Sequence, residues 1–236
     1  MMDSISLILS TLIPGLVWSF IIWITIPHST TSFKQFLIFF LYGILSASFV
    51  LYFNRFFPGY YSGLSETIDT DVITMTYFRI APIEELVKIL FFIVASISVT
   101  KGSHPSVYLG YGALLGLGFA VLENLEYGIE YGSDVAVMRS FTSSVLHVGC
   151  GIIFSWFFAL GICTKGWSRN RMDLIFIKYS ILKTIIYSII GFISCVIIHG
   201  QYNYILMSQP HGNGIFLLFV LIASTWAMAR NLQTSK

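Results

Sequence analysis

Between Phe36 and Phe53 the chain reads FLIFFLYGILSASFVLYF, 18 residues without a charge. A run of that length is what a helix needs to cross the hydrocarbon core of a bilayer, and similar runs recur along the sequence. Of the 236 residues, 56% are hydrophobic and only 10% charged, where an ordinary soluble domain carries about a quarter charged residues. A chain so poor in charge cannot clothe a water-facing surface, so its solvent is lipid. Apolar windows predict seven spans: Ile5 to Ile26, Phe33 to Phe53, Val72 to Ser98, Ser106 to Ile129, Arg139 to Cys163, Thr184 to Met207 and Gly214 to Ala229. The breaks between them hold turn residues, as at Pro58-Gly59 and Gly132-Ser133-Asp134. The expected fold is all-α, a polytopic transmembrane helix bundle of about seven spans, with six to eight compatible with the length. Residues 1–236 then form a single integral membrane domain.

The first run is expected to stay as a span. Met1 to Ser4 holds Asp3 and no basic residue, and no A-x-A cleavage signal follows. With alternating spans, Lys34, Lys101, Lys165, Arg169, Arg171, Lys178, Arg230 and Lys236 fall on one side and only Arg55 and Arg139 on the other. The positive-inside rule then puts the amino terminus outside and the carboxyl terminus in the cytoplasm. A net charge of +2, with no basic block, argues against a nucleic-acid partner. Cys150, Cys163 and Cys195 lie in apolar stretches without C-x-x-C spacing and read as packing residues, not as a disulfide framework or zinc site.

Ionisable residues inside the spans carry the functional signal, because a charge at the bilayer centre costs at least about 2.5–3.5 kcal/mol. The third span contains Glu84-Glu85-Leu86-Val87-Lys88, and the lysine lies one helical turn beyond both acids. Adjacent helical residues point about 100° apart, so the two glutamates have different surroundings. One is expected to face a reaction site while the other holds a neighbouring helix. In the fourth span Phe119, Glu123 and Tyr127 share a face, with Asn124 beside it; Glu126 reads as an acid snorkelling to the interface. His147 lies in the fifth span, and His199 shares a face with Asn203 in the sixth, with Tyr202 close by. Counted from the outer span ends at 1.5 Å per residue, Glu123 lies roughly 9 Å deep, His147 and His199 roughly 12 Å and Glu84 roughly 18 Å. Carboxylates, imidazoles and an amide meeting in the outer half of the membrane are the parts needed to activate water and stabilise an oxyanion. No serine in G-x-S-x-G context and no aspartyl pair accompanies them.

The motifs E-E-x-x-K at Glu84 to Lys88, G-F-A-x-x-E-N-x-x-Y at Gly118 to Tyr127, R-x(7)-H at Arg139 to His147 and H-G-x-Y-x-x-I-L at His199 to Leu206 resemble the PrsW family of intramembrane proteases in order and interval. That family in turn looks related to the CAAX prenyl endoproteases and bacterial self-immunity proteins, whose motifs are E-E-x-x-x-R, F-x-x-x-H and H-x-x-x-N. Here Lys88 displaces the arginine, Glu123 stands where the second motif has histidine, and His199-x-x-x-Asn203 matches the third. The resemblance implies a catalytic core over about 72–207 and peptide-bond hydrolysis within a prokaryotic cytoplasmic membrane. The substrate it implies is a membrane-anchored protein, an anti-sigma factor being the family's best-known target. By the same analogy Glu84 is the general base, with Glu85 and Lys88 ordering its helix, while His199 and Asn203, joined by His147, stabilise the oxyanion. Phe119, Asn124, Tyr127, Arg139 and Tyr202 support the site. No cofactor is favoured, and zinc is the alternative: Glu84, Glu85, Glu123, His147 and His199 are its candidate ligands, without an H-E-x-x-H motif. A proton- or ion-coupled transporter and a silent membrane scaffold compete with the protease, but no inverted repeat supports a transporter.

Overall fold

The computed structural model of the protein describes residues 4–25, 32–57, 69–99, 105–162 and 181–208. Nearly all of them are helical. In chain order they form α1 (Ser4–Thr25), α2 (Phe33–Phe56), α3 (Asp69–Ile73), a π-helical stretch (Thr74–Ile80), α4 (Ala81–Val99), α5 (Pro105–Tyr131), α6 (Ser133–Ile162) and α7 (Ile181–Ser208). Among the described residues, five helices are long and apolar enough to cross a membrane: α1, α2, α5, α6 and α7. The residues of the expected third span are helical, forming a rod from α3 to α4 that carries Glu84, Glu85 and Lys88, but this rod is not among those five. The expected seventh, Gly214 to Ala229, lies outside the described residues.

Burial shows which helix is central. In α5, 83% of the apolar window is buried, against 17% in α1 and 11% in α7, so α5 is sheathed by its neighbours while α1 and α7 turn apolar faces to lipid. Leu16 on α1 and Ile181 on α7 are 68% and 72% exposed. Helices gain little hydrophobic drive from associating in lipid, so close backbone approach has to supply van der Waals contact. Gly112 of α5 and Gly151 of α6 provide it: a Cβ at Gly112 would lie 2.1 Å from the Gly151 carbonyl oxygen.

A single residue joins α5 to α6. Gly132 has φ 107°, the left-handed conformation that glycine adopts without steric cost. Its N–H donates to the Gly128 carbonyl at 3.0 Å and its own carbonyl accepts from Ala136 N–H at 3.2 Å. The expected turn is there, but the next helix begins at Ser133 rather than Arg139. That one-residue connection forces α5 and α6 antiparallel and face to face, which sets Glu123 opposite Arg139 and His147.

The π-helical stretch has a local cause. Pro82 lacks an amide hydrogen and cannot continue the ordinary ladder, and the Ala81 N–H bonds the Thr76 carbonyl, five residues back. The backbone stays helical through Ile73 and Ala81, so the rod is continuous and changes only its winding just before Glu84 and Glu85. Tyr77 of this stretch donates its hydroxyl to Gln201 Oε1 on α7. Gly200 admits the Tyr77 ring, since a Cβ there would lie 2.5 Å from a ring carbon. The rod bearing the paired glutamates is thereby locked to the helix bearing His199.

Candidate active site

On α6, Arg139, Ser143 and His147 recur every four residues and form one face. All three converge on a single oxygen of α5, Glu123 Oε2: Arg139 Nη2 at 2.7 Å, Ser143 Oγ at 3.2 Å and His147 Nε2 at 2.8 Å. The guanidinium is fixed on its other sides as well. Its Nε donates to Asn124 Oδ1 at 3.2 Å, Nη2 also reaches Ser143 Oγ at 3.1 Å, and the group stacks over Tyr127 with 3.6 Å to the ring centroid. Asn124 Nδ2 donates to Ser144 Oγ at 3.1 Å, so both ends of that buried amide are satisfied.

The helix α4 joins this group through Lys88. Its ammonium lies 2.6 Å from Glu85 Oε1 and 2.9 Å from His147 Nδ1, above the face of Phe119. An ammonium can only donate, so His147 Nδ1 accepts and the imidazole proton sits on Nε2, where Glu123 receives it. On α7, His199 Nδ1 lies 2.6 Å from the same Glu85 Oε1. The carboxylate accepts the Nδ1–H, and His199 Nε2 on the far side of the ring is turned toward Glu84. The two imidazoles meet edge to face, 5.1 Å between centroids at 84°.

Glu84 is the exception in this network. It is 7% exposed, and its Oε2 is buried without a hydrogen-bond partner among the described residues. That oxygen faces His199 Nε2 across 3.7 Å, too long for a hydrogen bond. Of the three carboxylates Glu84, Glu85 and Glu123, the second pairs with Lys88 and the third with Arg139, whereas Glu84 pairs with neither of these permanent cations. One ligand atom each from Glu84, His147 and His199 lies within 4.8 Å of the others. An unpartnered carboxylate oxygen facing an imidazole nitrogen fits a divalent cation or a polarised water at this point.

Glu84, Glu85, Glu123, His147 and His199 thus form one contiguous cluster, with Lys88, Arg139, Phe119, Asn124 and Tyr127 holding it. Asn203 is half-buried one turn beyond His199 and makes no hydrogen bond among the described residues. Tyr202 donates to Thr142 Oγ1 at 3.0 Å, tying α7 to α6 beside the cluster. Sequence reasoning passed over Ser143, Ser144, Tyr77 and Gln201. The spacing Arg139-x-x-x-Ser143-x-x-x-His147 signals the first; nothing in the sequence singles out the others.

A polytopic helical membrane protein that sets an unpartnered carboxylate oxygen against an imidazole nitrogen among its buried ionisable residues has the makings of a hydrolase acting inside the bilayer. The chain belongs to the PrsW family: the model described as PrsW family intramembrane metalloprotease matches residues 31–228. It is 23% identical to protease PrsW of Geobacillus kaustophilus over 199 residues, which span 84% of this chain and 77% of that one. It is 26% identical to protease PrsW of Shouchella clausii over 140 residues, 59% of this chain and 56% of the relative. Against protease PrsW of Bacillus subtilis the identity is 28% over 116 residues, 49% of this chain and 45% of the relative. No solved structure matches the chain.

Proposed function

We propose that the protein is an intramembrane endopeptidase that hydrolyses a peptide bond of a membrane-anchored protein, using water held between Glu84 and His199. The observation carrying this reading is the 3.7 Å separation of Glu84 Oε2 and His199 Nε2 in a cluster whose other ionisable groups are committed to partners. Glu84 accepts the water proton as the oxygen attacks the scissile carbonyl, and that proton passes to the leaving amine as the C–N bond breaks. Glu85 is a positioning residue, holding His199 Nδ1–H so that Nε2 faces the reacting water. With the ring proton on Nδ1, His199 Nε2 donates to an oxyanion only after taking a second proton; Asn203 becomes a donor there only by turning toward the site.

A divalent cation fits the same point, held by Glu84 Oε2 and His199 Nε2, with His147 joining only by giving up Lys88 or Glu123. Bound there, it would polarise the substrate carbonyl and lower the pKa of its water. The chain's residues keep their parts in either case: Glu85 orients His199, and the Arg139–Glu123–His147 array holds the bundle around them. The anti-sigma-factor class of substrate and the orientation with the amino terminus outside belong to this proposal, on family resemblance and on the loop charges.

The test is cleavage of a reconstituted single-span substrate by wild type and Glu84→Gln. The variant should be folded and inactive. Full activity would remove Glu84 from the mechanism and with it this reading of the site.

A further inference from the structure

Behind Glu85 the structure holds a second group of ligand-type atoms. Cys150 of α6 and Cys195 of α7 are 1% and 0% exposed, and neither is in a disulfide. Their sulfurs and one Glu85 carboxylate oxygen lie within 4.8 Å of one another. The thiols are turned toward each other's helix: Cys195 Sγ lies 3.2 Å from the Cys150 carbonyl and Cys150 Sγ 3.9 Å from the Cys195 carbonyl. A small cavity lined by Glu85, Lys88, Gly112, Gly116, Cys150 and Gly151 adjoins them. Lys88 and His199 both bond Oε1 of Glu85, so Oε2 takes part in neither contact.

We infer that Cys150, Cys195 and Glu85 form a second cation site, selective for a thiophilic divalent ion such as Zn²⁺ or Cd²⁺, whose occupation inhibits the protein. Two thiolates on one tetrahedral zinc stand about 3.8 Å apart, from a bond of about 2.3 Å, so ligand atoms within 4.8 Å of one another have at most about 1 Å to close. Soft sulfur ligands favour such ions over magnesium or calcium. As each metal–sulfur bond forms, its thiol loses a proton, and the two protons leave to water. The group shares no ligand with Glu84, His147 and His199, so both sites can be filled separately. A cation on Glu85 draws charge from the carboxylate that orients His199, and turnover falls. Binding stands without the protease reading; the loss of turnover rests on it.

The full chain with Cys163→Ser, purified in detergent and kept reduced, is titrated with Cd²⁺ while thiolate-to-cadmium charge-transfer absorption and proton release are followed. One cadmium and two protons per chain are expected, with the absorption lost in Cys150→Ser and in Cys195→Ser. Cleavage should fall in parallel, and the serine variants should resist that inhibition. In the unsubstituted protein, native mass spectrometry should show one retained Cd²⁺ per chain. No retained cadmium, or undiminished absorption in the serine variants, overturns the site. Cadmium binding with cleavage unaffected overturns the inhibitory link, whereas binding to a protein that cuts nothing even without cadmium counts against the protease reading alone.

Discussion

Glu84 and Glu85 are neighbours in sequence, equally buried and chemically identical, yet removing their charges should have opposite effects. Glu85→Gln takes the negative charge from an oxygen that receives Lys88 at 2.6 Å and His199 at 2.6 Å. The ammonium is then left buried beside a neutral amide, and breaking one side of a buried ion pair costs about 3–5 kcal/mol. For a chain of this size each kcal/mol moves the midpoint by about 2–4 °C, so Glu85→Gln should melt roughly 6–20 °C lower. Glu84→Gln removes a carboxyl group that pairs with neither Lys88 nor Arg139, and its new amide hydrogens face His199 Nε2. Its stability should stay within about 1 kcal/mol of wild type or rise, a midpoint change of at most about 4 °C downward. All three proteins are melted in detergent after exhaustive chelation, so that a cation on Glu84 does not enter the comparison. Both variants should lose cleavage, one by losing the proton acceptor and the other by losing the orientation of His199. If Glu84→Gln is the destabilised variant and Glu85→Gln melts like wild type, the assignment of the two carboxylates is reversed.

The contact between Tyr77 and Gly200 should behave as one unit. Gly200→Ala puts a Cβ 2.5 Å from a Tyr77 ring carbon and should reduce cleavage by displacing the neighbouring His199, whereas adding Tyr77→Ala should recover part of the loss; no recovery would mean the two positions are not coupled. For topology, a reporter fused after Lys236 that matures only outside the cytoplasm should stay silent. An active reporter would place the carboxyl terminus outside and change the number of spans by one.

Apolar runs locate helices well because a bilayer imposes length and composition together, and the expected spans coincide with α1, α2, α5 and α7 to within about three residues at each end. They locate helix ends poorly where a polar residue can be housed in protein. The expected fifth span begins at Arg139, because a basic residue reads as a loop residue. In the structure that arginine is 8% exposed and paired with Glu123, and α6 starts six residues earlier. The π-helical stretch was illegible for a related reason: Pro82 signals a disturbance but not that the helix absorbs it by rewinding. The ionisable residues of the site were legible because burying them in an apolar helix demands partners. Which glutamate meets which partner was not, since helix rotation depends on packing with α7 that no local pattern encodes. Cys150 and Cys195 read as separate packing residues for the same reason: they sit on different helices, 45 residues apart.

Helix glue and catalytic machinery look like rival readings of intramembrane charge, but here one set of residues supplies both. Arg139 and Glu123 bind α6 to α5, Lys88 brings in α4 through Glu85 and His147, and Glu85 secures α7 through His199. Each step satisfies a buried group that would otherwise cost several kcal/mol, so the array fixes the bundle whether or not any reaction occurs. Gluing alone gives no reason to keep Glu84, which pairs with neither Lys88 nor Arg139 and whose Oε2 makes no hydrogen bond among the described residues. What gluing does leave, at the junction of α4 and α7, is a carboxylate oxygen and an imidazole nitrogen 3.7 Å apart and both available. The satisfied majority of the network makes that pair rigid, and a rigid acceptor pair excluded from bulk water is what activation of a single water molecule requires.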